Sequence, residues 1–346
     1  MDAGYQANDY KGAKVNGVAG NGSSTSQINF RGTEDLGGGL KANFRVETDW
    51  STVSNNANAG VKKADGTVAA PSTFGNGEIR VGLAGGFGAV DLGAVNYNTL
   101  DTFVTGQPFG TAIGSGFRAV TWNDVQGFEA TGTAAGSSVR ADNAIKYTTP
   151  VFFDGFKATL YKSNKQTKAN TTNFSTTMGA YDQVGTQELG ASYANGPLAV
   201  SFSNLTQDSR DVGAFVTKGT VNTLGANYAF GDFKLFGLYQ GTTITVPVGN
   251  NNKADFMSVS GTYTMGAVVL MAQFGNLKDK TEGSKKSSDS MLSLGVDYNL
   301  SKRTALYARY ESINDKIGLV ANSGQLPGVA GQEKRVRSAF GVRHAF

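Results

Sequence analysis

Residues 335–346 read RVRSAFGVRHAF. In an extended chain Val336, Phe340, Val342 and Phe346 fall on one side, and Arg335, Arg337, Gly341 and Arg343 on the other. A repeat of two with one apolar and one charged face describes a β-strand between unlike media. The same alternation recurs upstream. In Leu40–Trp50, Leu40, Ala42, Phe44 and Val46 oppose Lys41, Asn43, Arg45, Glu47 and Asp49. In Ser290–Leu300, Leu292, Leu294, Val296, Tyr298 and Leu300 oppose Ser293, Gly295, Asp297 and Asn299. A soluble sandwich of two sheets alternates in this way too, but rarely carries charge so regularly over so many strands.

Tight-turn signals separate the alternating runs at Gly32–Gly39, Gly85–Gly88, Phe153–Gly155, Asn195–Pro197, Gly231–Asp232, Met265–Gly266 and Leu300–Lys302. From the fourth onward they recur about every 35 residues, room for two strands of ~10 residues and one loop. Seven turns joining two strands each, with one more strand at either end, predict sixteen. Short turns alternating with longer loops predict a transmembrane antiparallel β-barrel, in which closure removes the sheet edges that hydrocarbon would not tolerate. Tyr147, Phe156, Tyr193, Phe230, Phe233, Tyr263 and Tyr298 near strand ends suit aromatic girdles at the two membrane interfaces.

Composition agrees. Glycine is 47 of 346 residues, roughly double the usual ~7%, while proline is only 6, which fits many tight turns better than disorder. No run of ~18 apolar residues exists, which excludes a transmembrane helix but not strands of ~9–11 alternating residues. A net charge of +4, with no basic and aromatic interleaving, gives no sign of a nucleic-acid partner. Cysteine is absent and His344 is the one histidine, so thiolate sites, His pairs and the usual catalytic triads are unavailable. No enzyme, cofactor or metal site is expected. Glu34 and Asp35 lie in a turn, GGGLK lacks the spacing of a phosphate loop, and KDKTEGSKK at 278–286 reads as a solvated basic loop tip.

Three motifs carry a family resemblance: SQINFRGTEDLGGGLKANF near the start, NLSKRTALYARY at 299–310, and the terminal GVRHAF. Together they resemble the general porins of proteobacterial outer membranes, most closely the trimeric, often anion-selective porins of the beta class. The resemblance covers essentially the full length. It implies one barrel over residues 1–346 that passes ions and small hydrophilic solutes passively, with a homotrimer, outer-membrane lipid and lipopolysaccharide as partners. The opening MDAGYQANDY has neither a charged n-region nor an apolar h-region, and MDAGY is short for a first strand. A signal peptide and several strand residues are therefore expected upstream of this numbering.

Residues 96–139 form a long polar, glycine-rich interval without sustained alternation. The resemblance implies that this third external loop folds inward and narrows the channel, and that loop 2, about 51–77, packs over a neighbouring subunit. By parity Arg31, Arg45, Arg80, Arg140, Lys146, Arg309, Arg337 and Arg343 face the lumen, with Glu47, Asp49, Glu78, Asp297 and Glu311. The resemblance implies Arg140 as a constriction arginine, Glu47 as an acidic wall residue, and Arg118 and Asp101 as charges on loop 3. It also implies an arginine at Gln27 and a basic residue at Ala94, which this chain lacks. The inward basic excess predicts a weak anion preference. Two other readings are open: a substrate-selective channel using Phe103, Phe109, Phe117 or Trp122, and a receptor or adhesin acting through its external loops.

Overall fold

A computed structural model describes residues 1–10, 13–53, 74–117, 139–164, 166–167, 181–183, 185–208, 218–245, 251–283, 288–314 and 334–346. Along the chain the elements are β1 (Asp2–Tyr10), β2 (Ala13–Gly20), β3 (Gln27–Gly37), β4 (Leu40–Asp49), β5 (Ile79–Gly85) and β6 (Gly88–Asn96), then the helix α1 (Asn98–Thr105). There follow β7 (Arg140–Thr148), β8 (Phe156–Ser163), β9 (Gln166–Thr167), β10 (Tyr181–Gln183), β11 (Gly185–Asn195), β12 (Leu198–Asp208) and β13 (Lys218–Phe230). The last six are β14 (Phe233–Thr245), β15 (Asn252–Met265), β16 (Val268–Asp279), β17 (Ser288–Asn299), β18 (Thr304–Asn314) and β19 (Lys334–His344).

Each strand pairs antiparallel with its sequence neighbour from β3 to β8 and from β11 to β19, and β8 pairs with β11. β19 then pairs with β1, Asp2 opposite Arg343 through Tyr10 opposite Arg335, and β1 with β2. The ribbon β9–β10 stands apart from this sheet. First and last strands thus pair, and the sheet runs from β3 round through β19 to β1 and β2. Among the described residues it holds 17 strands where the turn count predicts sixteen. All seven predicted turns join strands; the extra one is β2, since the start of the chain forms a hairpin instead of a single strand. At three hairpins the connection is two residues beginning with Gly196, Gly231 or Gly266, at φ of 56°, 57° and 57°. Glycine enters that region without the Cβ clash, and its twist matches the flanking strands.

Burial separates the barrel from the sandwich. On β16 and β17 the side chains that face outward are Phe274 (59% exposed) and Leu294 (48%), whereas their inward neighbours Gln273 and Ser293 are 1% and 0% exposed. Large apolar side chains cover the outside and polar ones the inside, the reverse of a soluble protein and the arrangement that lipid requires. Outward aromatics stack across neighbouring strands at the turn end: Phe230 on Phe233 at 5.7 Å and Phe233 on Tyr263 at 4.4 Å between ring centroids. Among the described residues no helix is long and apolar enough to cross a membrane.

Candidate functional site

The inside of the barrel is crossed by residues 97–117, and the wall is shaped to hold them. The helix α1 begins at Tyr97, which offers no side-chain cap. The missing acceptor comes from the wall: Glu188 on β11 accepts the backbone N–H of Asn98 at 2.5 Å and of Thr99 at 2.6 Å, and the Thr99 hydroxyl at 2.6 Å. A carboxylate at this end satisfies open donors and complements the helix dipole. Beyond it, the hydroxyls of Thr99 and Ser203 lie 2.9 Å apart, those of Thr102 and Ser201 2.7 Å apart, and Asn227 Nδ2 donates to the Thr105 carbonyl at 2.8 Å. A Cβ on Gly225 would sit 2.1 Å from the Thr102 carbonyl oxygen. Small inward residues on β12 and β13 therefore allow the helix to lie directly on the wall.

The chain then runs toward β18. Phe109 lies over Gly295, with the Arg309 guanidinium 5.9 Å from its ring centre. The backbone N–H groups of Gly114 and Gly116 donate to Glu311 at 3.1 and 3.3 Å. Phe103 packs with Leu238, Ala254, Phe256, Leu277, Met291 and Ile313, all from the inner wall, and Phe117 lies against them. Alternation inside the lumen breaks at these apolar residues because loop residues, not water, cover them. Phe103 (2% exposed) and Phe109 (3%) are thus packed against the wall, which leaves neither available to the alternative of a greasy track.

The inward charges form a connected set. Register places Arg31 opposite Arg45 and Arg45 opposite Arg80, a row of three guanidinium groups on β3, β4 and β5. Like charges side by side on a sheet repel. Carboxylates relieve the row: Arg45 pairs with Glu47 and with Glu78 at 2.6 Å, and Arg80 with Asp91 and with Glu78 at 3.7 Å. The row opens on a cavity of about 1350 Å³ that Asp91 and Arg343 also line. Gln27 Nε2 donates to Glu47 at 2.9 Å and to Asp49 at 3.0 Å, filling as an amide the position where the resemblance implies an arginine.

Arg140 donates to Asn96 Oδ1 at 2.9 Å and to the Asn76 carbonyl at 3.0 Å. Lys146 donates to the Asn96 carbonyl at 2.9 Å and stands 3.8 Å from Asp101 on α1. Neither Arg31 nor Arg140 has a carboxylate partner among the described residues. Although the Asp101 side chain is 66% exposed, the surrounding wall removes enough water to raise its pKa above the ordinary value, against the pull of Lys146. On the far side Arg335 and Arg337 share Glu311 at 3.0 and 2.8 Å, and Arg309 and Arg343 share Asp297 at 2.7 and 3.6 Å. Arg118, Trp122 and most of loop 2 lie outside the described residues. Parity alone locates Arg31, Arg45, Arg80, Arg140, Lys146 and Arg337. It says nothing of Glu188, Ser201, Ser203 or Gly225, whose roles depend on a helix some ninety residues away; an acidic residue at an inward position beside small ones is the available sign.

A single curved sheet whose last strand pairs with its first, with an oily exterior, a charged interior and a segment laid along its inner wall, is the build of an outer-membrane pore. The chain belongs to the Gram-negative porins, whose family model matches residues 1–318. It is 34% identical over 351 residues to outer membrane porin protein 32 of Delftia acidovorans, across 99% of this chain and 90% of that protein. An outer membrane porin protein of Bordetella pertussis is 28% identical, across 100% of this chain and 87% of its own length. Among solved structures, an anion-selective porin from Comamonas acidovorans matches with a TM-score of 0.80 at 29% identity, over 100% of this chain and 97% of that one. The trimer form of OmpT from Vibrio cholerae, 15% identical with a TM-score of 0.67 over 98% of each chain, shares the fold. The protein is accordingly a passive channel of the Gram-negative outer membrane.

Proposed function

We propose that residues 1–346 form one barrel and residues 96–139 its constriction loop, and that the channel passes small hydrophilic solutes and ions with a weak preference for anions. The preference rests on the excess of basic residues at inward positions and on Arg31 and Arg140, which have no carboxylate partner among the described residues. Asp101 is the opposing charge on the loop. An ion passing within ~4 Å of one unpaired charge feels about 1 kcal/mol in bulk-like water and several-fold more where protein displaces water. The anion-selective structure among the relatives supports the same sign. Arg140, Arg31, Arg45, Arg80, Glu47, Lys146 and Arg337 are the proposed wall residues, with Asp101 and Arg118 on the loop.

The working unit is a homotrimer, in keeping with the trimeric form of the related fold, and it sits among outer-membrane lipid and lipopolysaccharide. Passage requires no bond making, and a chain with one histidine and no cysteine has few groups for it. Reversal potential across a planar bilayer in a KCl gradient tests the selectivity: a chloride-directed potential is expected, and a clear potassium-directed one overturns it. Current steps that arrive in groups of three test the trimer.

A further inference from the structure

We propose that the outer surface of β14–β16, at the ends farthest from their tight turns, binds the phosphorylated sugar headgroup of lipopolysaccharide. The proposal rests on the reading above that the barrel sits among outer-membrane lipid and lipopolysaccharide, and it gives that contact its residues. Burial fixes the inward positions: Ala254 and Phe256 on β15 and Leu277 on β16 are 3%, 1% and 1% exposed. Alternation therefore turns Lys253, Asp255 and Lys278 outward. Lys280 joins them, since its ammonium group donates to the Asp255 carboxylate. Three ammonium groups thus share one carboxylate on this face. Neither Lys253 nor Lys278, both exposed, has a carboxylate partner among the described residues.

Register shows where the oily surface ends. Val259 lies opposite Phe274, both outward and 69% and 59% exposed, and the next outward residue of β15, Met257, is 58% exposed. The position after that is Asp255, opposite Lys278 on one side and Gly241 on the other. Tyr239, opposite Met257, reaches up over Gly241: a Cβ there would stand 2.7 Å from the Tyr239 hydroxyl and 3.4 Å from Asp255 Oδ1. An outward tyrosine whose hydroxyl turns toward charge marks the boundary between hydrocarbon and headgroups. Past it the neighbouring outward positions carry hydroxyls and amides. Thr243 lies opposite both Lys253 and Thr220, Asn222 lies opposite Gly241, and Asn204 Nδ2 donates to Asn222 Oδ1 at 2.7 Å.

Chemistry selects the occupant. Acyl chains suit the Met257, Val259 and Phe274 surface, a phosphate suits the ammonium groups directly above it, and sugar hydroxyls suit the flanking threonine and asparagine side chains. Free phosphate would use the cations alone. A zwitterionic phospholipid brings its own cation and no sugar. A phosphorylated glycolipid meets all three surfaces at once, and the strand ends joined by long loops are the outer ends in barrels of this kind.

The test titrates the full chain, refolded in detergent, with bisphosphorylated lipid A and reads binding by native mass spectrometry. The double variant Lys253→Gln, Lys278→Gln should bind about thirtyfold more weakly, roughly fivefold for each lysine removed. Asp255→Asn, which frees Lys280, should bind more tightly. Dephosphorylated lipid A should bind wild type and double variant equally weakly, and millimolar inorganic phosphate should not displace the lipid. Normal conductance in a planar bilayer shows that each variant has folded; if one has not, the other variant and the phosphate dependence of the wild type decide. Equal affinity of wild type and double variant for lipid A overturns the assignment but leaves the lipopolysaccharide reading in place. A wild type that retains no lipid A overturns both, and displacement by inorganic phosphate overturns the lipid in favour of a free-anion site.

Discussion

Glu188 and Glu311 fasten the inward segment at opposite ends: one holds the start of α1, the other the glycine-rich stretch at 114–116. Glu188→Gln keeps the size but replaces an acceptor-only group with an amide, so at least one short hydrogen bond at the helix start is lost. A buried charged hydrogen bond of this kind contributes about 1–3 kcal/mol. Expected results are a lower unfolding midpoint and noisier open-channel current, read by denaturant titration and single-channel recording. Asp101 acts differently, since the proposed ion path runs past its exposed side chain. Its raised pKa means that, as pH falls from neutral, it takes up a proton before an ordinary aspartate does. The lumen then loses one negative charge, and the reversal potential should move further toward chloride as the solution is made more acid. Asp101→Asn should show that shift already at neutral pH and should flatten its pH dependence.

At the level of elements, the strands were largely legible from their residues and the helix was not. A repeat of two is a local property, so the faces of β4, β17 and β19 can be read from ten residues at a time. Asn98–Thr105 becomes helical on a seat assembled from β11, β12 and β13, and nothing in its own pattern announces that. Its contacts span long separations, as between Thr99 and Glu188, 89 residues on. The pairing of Arg45 and Arg80 with particular carboxylates was hidden for a related reason: parity gives the side, register gives the neighbour. The seat can be tested directly. Gly225→Val puts side-chain atoms where the Thr102 carbonyl lies, so α1 should be pushed off the wall and the conductance altered. Gly237→Ala on the next strand has no neighbour within 4 Å of the added carbon and serves as the control expected to conduct normally. Removing residues 105–116 should raise conductance, and an unchanged value would count against a constricting role for that stretch.

For the molecule as a whole, the exchange of inside and outside governs stability. Phe274→Arg places a charge on the lipid-facing surface of β16, where a cation near the bilayer midplane costs about 2–4 kcal/mol. Urea unfolding in lipid vesicles should show this loss, while a charge introduced at a lumen position open to water should have a smaller effect. The expected strand number missed β2 for a whole-molecule reason too. Whether residues 13–20 count as loop or strand depends on β1 as a partner, and β1 is itself held by β19 at the other end of the sequence.

A tube made of one sheet has no packed centre to resist being squeezed flat, and bending such a wall is easy compared with stretching it. Because the inward segment is tied to β11 at one end and β18 at the other, it works as a cross-brace over that arc. Lateral pressure from the bilayer that would turn a round cross-section oval must also strain the hydrogen bonds at Glu188 and Glu311. Cutting either tie should therefore make the current through this channel depend on the lipid that surrounds it.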